Sequence, residues 1–148
     1  MAGEAVATAP DPATSARAEA ICRRATSEAQ PLIGNLARTI GRSSSPEEGI
    51  DKGLVRPGIR ILEKQGAALA ALHPDPESAV FSTYVGLFEP VLSLAYQRLE
   101  AGESLDYGAA HELELLIGNL TGEQVKLAAS IGLTECETSF FEALGTAQ

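Results

Sequence analysis

Three times in this chain a capping residue stands directly before a proline: Asp11-Pro12, Ser45-Pro46 and Asp75-Pro76. A short polar side chain accepts hydrogen bonds from the unpaired N–H groups of a first helical turn. Proline, which has no N–H to leave unpaired, fits the first helical position. Each pair therefore predicts a helix start. Glu48 completes a capping box with Ser45, and Asp106 is a fourth cap. Strand signals are weak: there is no alternating β-branched run and no Asn-Gly or Asp-Gly hairpin turn.

The predicted stops agree with the starts. Gly41 and Gly102 stand where a left-handed residue would end the first and third helices, and His73-Pro74 ends the second. Gly132 ends the fourth, with Leu133 as the apolar contact of a Schellman turn. Thr134 and Glu137 form a second capping box, which predicts a tail helix running to Gly145.

Between these signals the apolar residues repeat at helical spacing. The first helix carries Ala18, Ile21, Ala25, Leu32, Leu36 and Ile40; the second Ile50, Leu54, Ile61, Leu62, Leu69 and Leu72. The third carries Phe81, Tyr84, Val85, Phe88, Leu92, Ala95 and Leu99; the fourth Leu113, Leu116, Ile117, Leu120, Leu127 and Ile131. Short loops make neighbours antiparallel. The expected fold is all-α: an antiparallel up-down-up-down four-helix bundle with a short C-terminal helix. Residues 1–11 read as a flexible leader, 12–145 as the single bundle domain and 146–148 as a tail.

At 148 residues the chain is long enough to bury a core, and 45% of its residues are hydrophobic. Only 5% are aromatic, so that core must be built from Ala, Leu, Ile and Val. The formal charge of −9 disfavours nucleic acid, whose binders need a basic face. No apolar run reads as long enough to span a bilayer. Charge is divided unevenly: residues 1–74 hold nine basic and eight acidic side chains, and residues 75–148 hold two and twelve. Arg17, Arg23, Arg24, Arg38 and Arg42 belong to the first helix, whereas Glu100, Glu103, Asp106, Glu112, Glu114 and Glu123 belong to the second half. A solvated acidic face accounts for this, and so does a surface for a basic partner or for head-to-tail self-association.

Pro31, Pro57 and Pro90 fall inside expected helices, with Gly53 and Gly86 four residues before the last two. Each lies about ten residues, roughly 15 Å, from the end where the first two helices join. Gly118 reaches a similar level. Kinks at one level can bulge around a cavity, and Gln30, Tyr84, Glu89, Tyr96, Asn35 and Asn119 are polar residues able to line it. Kinks that merely curve the helices over the core are the simpler reading. Gly118 and Gly122 on the fourth helix, and Gly66 and Ala70 on the second, have the spacing of close helix packing.

No catalytic constellation emerges. A di-iron bundle needs two Glu-x-x-His pairs, yet Ala70 and Gly108 precede His73 and His111 by three. His111 and Glu114 share a face but make no metal site alone. Nucleophile elbow, phosphate-binding loop and dinucleotide fingerprint are all absent. No cofactor or metal is expected.

Met1–Pro10 has neither a basic n-region nor an apolar h-region, so it does not read as a signal peptide. A cytosolic chain and a mature exported chain both fit. Cys22 and Cys136 fit two buried thiols or one disulfide joining the first helix to the C-terminal segment.

Two stretches suggest a kinship: Ala18-Glu19-Ala20-Ile21-Cys22-Arg23-Arg24-Ala25 and Ala128-Ala129-Ser130-Ile131-Gly132-Leu133-Thr134-Glu135-Cys136, with Leu72-His73-Pro74-Asp75-Pro76 between them. The chain resembles small two-cysteine, all-helical secreted or lipid-anchored proteins of actinobacteria. The resemblance implies an extracytoplasmic location and a Cys22–Cys136 disulfide, and carries no catalytic residues with it. The expected function is a non-enzymatic extracytoplasmic module that binds a protein partner or its own copies. A small-ligand carrier with its pocket at the kinks, formed by Gln30, Pro31, Pro57, Tyr84, Glu89, Pro90, Tyr96 and Gly118, is the alternative.

Overall fold

A computed structural model describes residues 9–138. They form α1 (Pro12–Gly41), α2 (Pro46–Ile50), a π-helical turn (Asp51–Val55), α3 (Arg56–Ala70), α4 (Ala79–Gly86), α5 (Phe88–Glu103), α6 (Tyr107–Ser130) and a 3-10 turn (Thr134–Cys136). No strand occurs among the described residues. The segment from α2 to α3 is continuous, and Leu87 alone separates α4 from α5, so the chain makes four rods.

Of the caps expected at Asp11, Ser45, Asp75 and Asp106, three form. Asp11 accepts from the Thr14 N–H at 2.9 Å, Ser45 from Glu48 at 3.2 Å and Asp106 from Ala109 at 3.1 Å. Asp75 does not cap a helix. Its carboxylate accepts from the Glu77 N–H at 2.9 Å in a turn, and the helix begins later, at Ala79. The capping box at Ser45 is half made, because Glu48 pairs with Lys52 at 2.7 Å.

Two of the prolines open new helical segments rather than kinking old ones. Pro57 is the second residue of α3, directly after the π-helical turn, and Pro90 is the third residue of α5. Pro90 sits in a first turn, where a missing N–H costs little, whereas Pro57 lies within the continuous second rod. The wider π turn also shifts the backbone carbonyls ahead of the Pro57 ring. Pro31 stays inside α1, exposed, with the Asn35 side chain donating to its carbonyl at 2.9 Å.

The helix ends differ from the expected ones in an instructive way. Gly132 takes φ +74°, Leu133 N–H donates to the Ala128 carbonyl and Gly132 N–H to that of Ala129. That is the expected Schellman turn, with Leu133 buried. Gly41 is simply the last residue of α1. Gly102 is buried inside α5, and the left-handed residue there is Leu105, at φ +60°. Asp106 N–H donates to the Ala101 carbonyl and Leu105 N–H to that of Gly102, again the Schellman pattern. A side chain at position 102 would collide with the Asp51 carboxylate and the Arg98 guanidinium. Glycine is therefore needed at 102 for space and is missing at 105, where the backbone favours it. Leu105 is 70% exposed, so Leu105→Gly is expected to stabilise the fold by about 0.5–1 kcal/mol; urea unfolding measures it.

Contact pairs run in opposite order along neighbouring rods. Against α1, Gly49 meets Ile40, Gly53 meets Leu36 and Thr39, Lys64 reaches Glu28 and Gln65 reaches Cys22. Between the second and third rods, Asp51 meets Arg98, Glu63 meets Tyr96 and Gly66 meets Phe88. Between the third and fourth, Arg98 meets Glu114 and the Gln124 side chain donates to the Tyr84 carbonyl.

The core runs through Ala18, Cys22, Ala29, Ile59, Ile61, Leu62, Leu69, Phe81, Tyr84, Phe88, Val91, Ala95, Ile117 and Ala128. Tyr84 stands edge-on to Phe88, ring centroids 5.7 Å apart. Gly66 packs against the Phe88 ring as expected, but Gly118 and Gly122 have nothing within 4 Å of a Cβ position among the described residues, so none of the four rods presses on them. Leu116, expected inside, is 49% exposed. By length and composition, residues 79–103 are apolar enough to cross a bilayer, contrary to expectation. Here their inner stripe lies in the core and includes a buried arginine, Arg98, which would be costly in hydrocarbon.

The C-terminal segment turns back at Gly132, and the 3-10 turn packs on α1. Thr134 opens no capping box. Its N–H and Oγ1 both donate to Glu19 Oε1, at 2.9 and 3.2 Å. The expected tail helix, with its boundary at 145 and the tail beyond, lies outside the described residues past Thr138, as does most of the expected leader.

Candidate functional site

The most deeply buried charges are at Arg98. Its guanidinium is 6% exposed and holds Asp51 Oδ1 through Nη1 at 3.0 Å and Glu114 Oε2 through Nε at 2.8 Å. Asp51 comes from the π-helical turn, Arg98 from α5 and Glu114 from α6, so one guanidinium ties three rods. Burial pushes the Asp51 carboxyl above its ordinary value of 3.8, against the pull of Arg98. Every buried side-chain nitrogen and oxygen among the described residues has a hydrogen-bond partner. Asp51, Arg98 and Glu114 line none of the three cavities described below.

The second junction is covalent. Cys22 and Cys136 form a disulfide with Cα atoms 5.2 Å apart. Arg23 Nε donates to Glu135 Oε1 at 2.7 Å beside it. The Tyr84 hydroxyl lies 3.5 Å from Cys22 Sγ, and burial raises its pKa. The bridge is compatible with an oxidising location.

Asp11 and Asp51 should titrate in opposite directions. Hydrogen bonds from Thr14 hold Asp11 below 3.8. A lowered carboxyl contributes stability present above 3.8 and lost as pH falls through its folded pKa. Asp51, raised, binds its proton first in the folded state, so its contribution grows as pH falls from its folded pKa towards 3.8. Carboxyl chemical shifts followed by NMR are expected to place the Asp51 midpoint above 3.8 and the Asp11 midpoint below it.

Three surface cavities stand out. The largest is a groove of about 340 Å³ between α1 and α3. Ala20, Ile21, Ala25, Ile61 and Ala68 line it, with Arg24, Glu28, Lys64 and Gln65 beside them. A cavity of about 190 Å³ lies between α1 and the 3-10 turn, beside Arg23, Gln30 and Glu135. A void of about 20 Å³ touches Tyr84, Gln65 and Gln124.

The residues expected at a kink-level pocket are not brought together. Gln30 lines the second cavity and Tyr84 the smallest, whereas Pro31, Pro57, Glu89, Pro90, Tyr96 and Gly118 line none of the three. Two prolines ended up at segment starts instead of kinks, and Pro31, Glu89, Pro90, Tyr96 and Gly118 face solvent. Tyr96 donates to Glu63 at 2.5 Å. His111 is exposed, 3.9 Å from a Glu114 that Arg98 already holds. Among the described residues no group of three or more His, Cys, Asp or Glu could hold a metal.

No family model, curated protein or solved structure matches the chain. The site must be read from its own geometry. On that basis the α1–α3 groove is the candidate: an apolar floor beside charged side chains, within the volume range of binding clefts. The Lys64 ammonium is paired with Glu28 at 2.9 Å, while Arg24 has no acidic partner within 4 Å among the described residues. Sequence reasoning placed Ile21, Ala25 and Ile61 in the core and missed the groove. The available signal was an apolar face on α1, from Ala18 to Ala29, wider than one neighbouring rod can cover.

Proposed function

We propose that this chain is a non-enzymatic, extracytoplasmic interaction module: an up-down-up-down four-helix bundle, closed by its disulfide, that offers the α1–α3 groove to a helix of a protein partner. The opposite order of contact pairs along neighbouring rods supports the topology. The Cys22–Cys136 bridge supports the location, because thiols stay reduced in most cytosols. Kinship with the small two-cysteine helical proteins of actinobacteria belongs to the same proposal and rests on the residues around the two cysteines.

The observation that carries the function is the groove, apolar on its floor with cationic side chains beside it. An amphipathic helix laid into such a groove buries its apolar face and matches charge at the edge. The non-enzymatic part is supported by Asp51 and Arg98, the buried charges, being paired with each other. A carrier pocket at the proline level lacks comparable support. A photo-crosslinking residue at Ala68, in the groove, is expected to capture a discrete protein in the native host, while one at the exposed Ser93 does not. Equal capture at both positions, or none at Ala68, overturns the reading.

A further inference from the structure

The groove has a counterpart on the opposite half of the chain. On α6 the exposed residues Glu112, Leu115, Leu116, Asn119 and Glu123 recur at helical spacing on one side of the helix. Leu115 is 59% exposed and Leu116 49%. Leucines that open to water on a helix are the kind of surface a partner covers. Glu112 and Glu123 stand eleven positions apart, about 16 Å along the axis, with the leucines between them. Neither glutamate has a cation within 4 Å among the described residues.

The groove is the reverse in shape, and its lining carries Arg24 beside the Lys64–Glu28 pair. It is concave, with alanines and isoleucines inside. Arg24 lies beside it, Arg17 is two turns earlier on α1, and Arg60 is one turn before Lys64 on α3. Arg17, Arg24 and Arg60 are all exposed and have no acidic partner within 4 Å among the described residues. A convex apolar ridge between acids and a concave apolar groove with Arg24 at its side, and Arg17 and Arg60 further along the same two helices, therefore sit on one chain.

We propose that the occupant of the groove is the α6 ridge of a second copy of this chain. This rests on the groove being a docking site and names its partner. The two surfaces are different, so the contact is heterologous: each copy offers a groove and a ridge, and copies join head to tail until a ring closes or a filament runs on. Charge matching steers the encounter and makes it salt-sensitive.

Two variants test it, each with one surface ruined by exposed substitutions that leave the core alone. Leu115→Asp with Leu116→Asp removes the ridge; Ala20→Glu with Arg24→Glu reverses the groove. Circular dichroism first checks that both remain helical. In light scattering after size exclusion, the wild type is expected to grow beyond a dimer with concentration and to shrink in high salt. Each variant alone is expected to stay monomeric. Mixed, they are expected to give a one-to-one dimer and nothing larger, because only one intact groove and one intact ridge meet. A wild type monomeric at every concentration overturns the proposal, and so does an assembling wild type whose mixed variants form no dimer. A discrete different protein captured at Ala68 beside a monomeric wild type leaves the groove's docking role standing and removes only the second copy.

Discussion

Replacing Arg98 by alanine is expected to cost about 3–5 kcal/mol of stability. The guanidinium is almost wholly buried, and so is the Asp51 carboxylate it holds. Alanine leaves that carboxylate in the core without a counter-charge and empties the volume around it. Glu114 is half exposed and returns to water at little cost. At roughly 2–4 °C per kcal/mol for a chain of this size, the melting temperature should fall by about 6–20 °C. The pair itself contributes far less than its rupture costs, because both ions were desolvated to make it. The double variant Asp51→Leu with Arg98→Met, which removes both charges and keeps much of the volume, is therefore expected to recover most of the loss. Thermal melts followed by circular dichroism at neutral pH compare the three proteins. An Arg98→Ala protein within about 1 kcal/mol of the wild type would show that water, not Arg98, solvates Asp51.

This ionic junction also marks where sequence reasoning stopped. Arg98 continues the stripe Phe88, Val91, Ala95 at helical spacing and ends it against Gly102. An arginine in an apolar stripe beside a glycine is a legible sign of a buried charge. Read as local punctuation, Gly102 became a helix stop, although its role is to let Asp51 and Arg98 approach. The same local reading makes Leu105 invisible, since a leucine at φ +60° carries no signature of a left-handed turn. The helix starts at Asp11, Ser45 and Asp106 were readable because capping is decided within four residues. The start after Asp75 was not, since an Asx turn uses the same Asp-Pro pair.

The candidate site was less legible than the helices. The expected pocket joined residues by their depth along ideal rods, and depth says nothing about which way a side chain points. Of that set Gln30 and Tyr84 line two of the cavities described above, and they line different ones. The groove lies between α1 and α3 over small residues, Ala20, Ala25 and Ala68, and no one-dimensional pattern records the gap between two rods. The charge division is plain in the sequence, yet the positions of the exposed leucines of α6 and of Arg24 beside the groove are set only by the fold.

The disulfide is the other place where a large effect is expected, and its origin differs from that of Arg98. The bridge joins positions 114 apart, so it closes nearly the whole described chain into one loop. A loop of that length removes about 4–5 kcal/mol worth of freedom from the unfolded state in the chain-entropy account. The native junction has other supports: Leu133 is buried, Glu19 accepts two hydrogen bonds from Thr134, and Arg23 pairs with Glu135. Cys22→Ala with Cys136→Ala is therefore expected to keep the folded structure at room temperature while melting about 8–20 °C lower. Reductant should give the same shift, but slowly. Both sulfurs are almost completely covered, so a thiol reagent reaches them only when the segment opens. Melting curves of the wild type, the double variant and the reduced wild type, with the reduction rate followed by mass, measure both effects. If the double variant melts within about 2 °C of the wild type, the bridge constrains little and the packing of residues 133–136 on α1 holds the end of the chain by itself. If reduction is fast at low temperature, that packing opens freely, and the bridge alone keeps the C-terminal segment against α1.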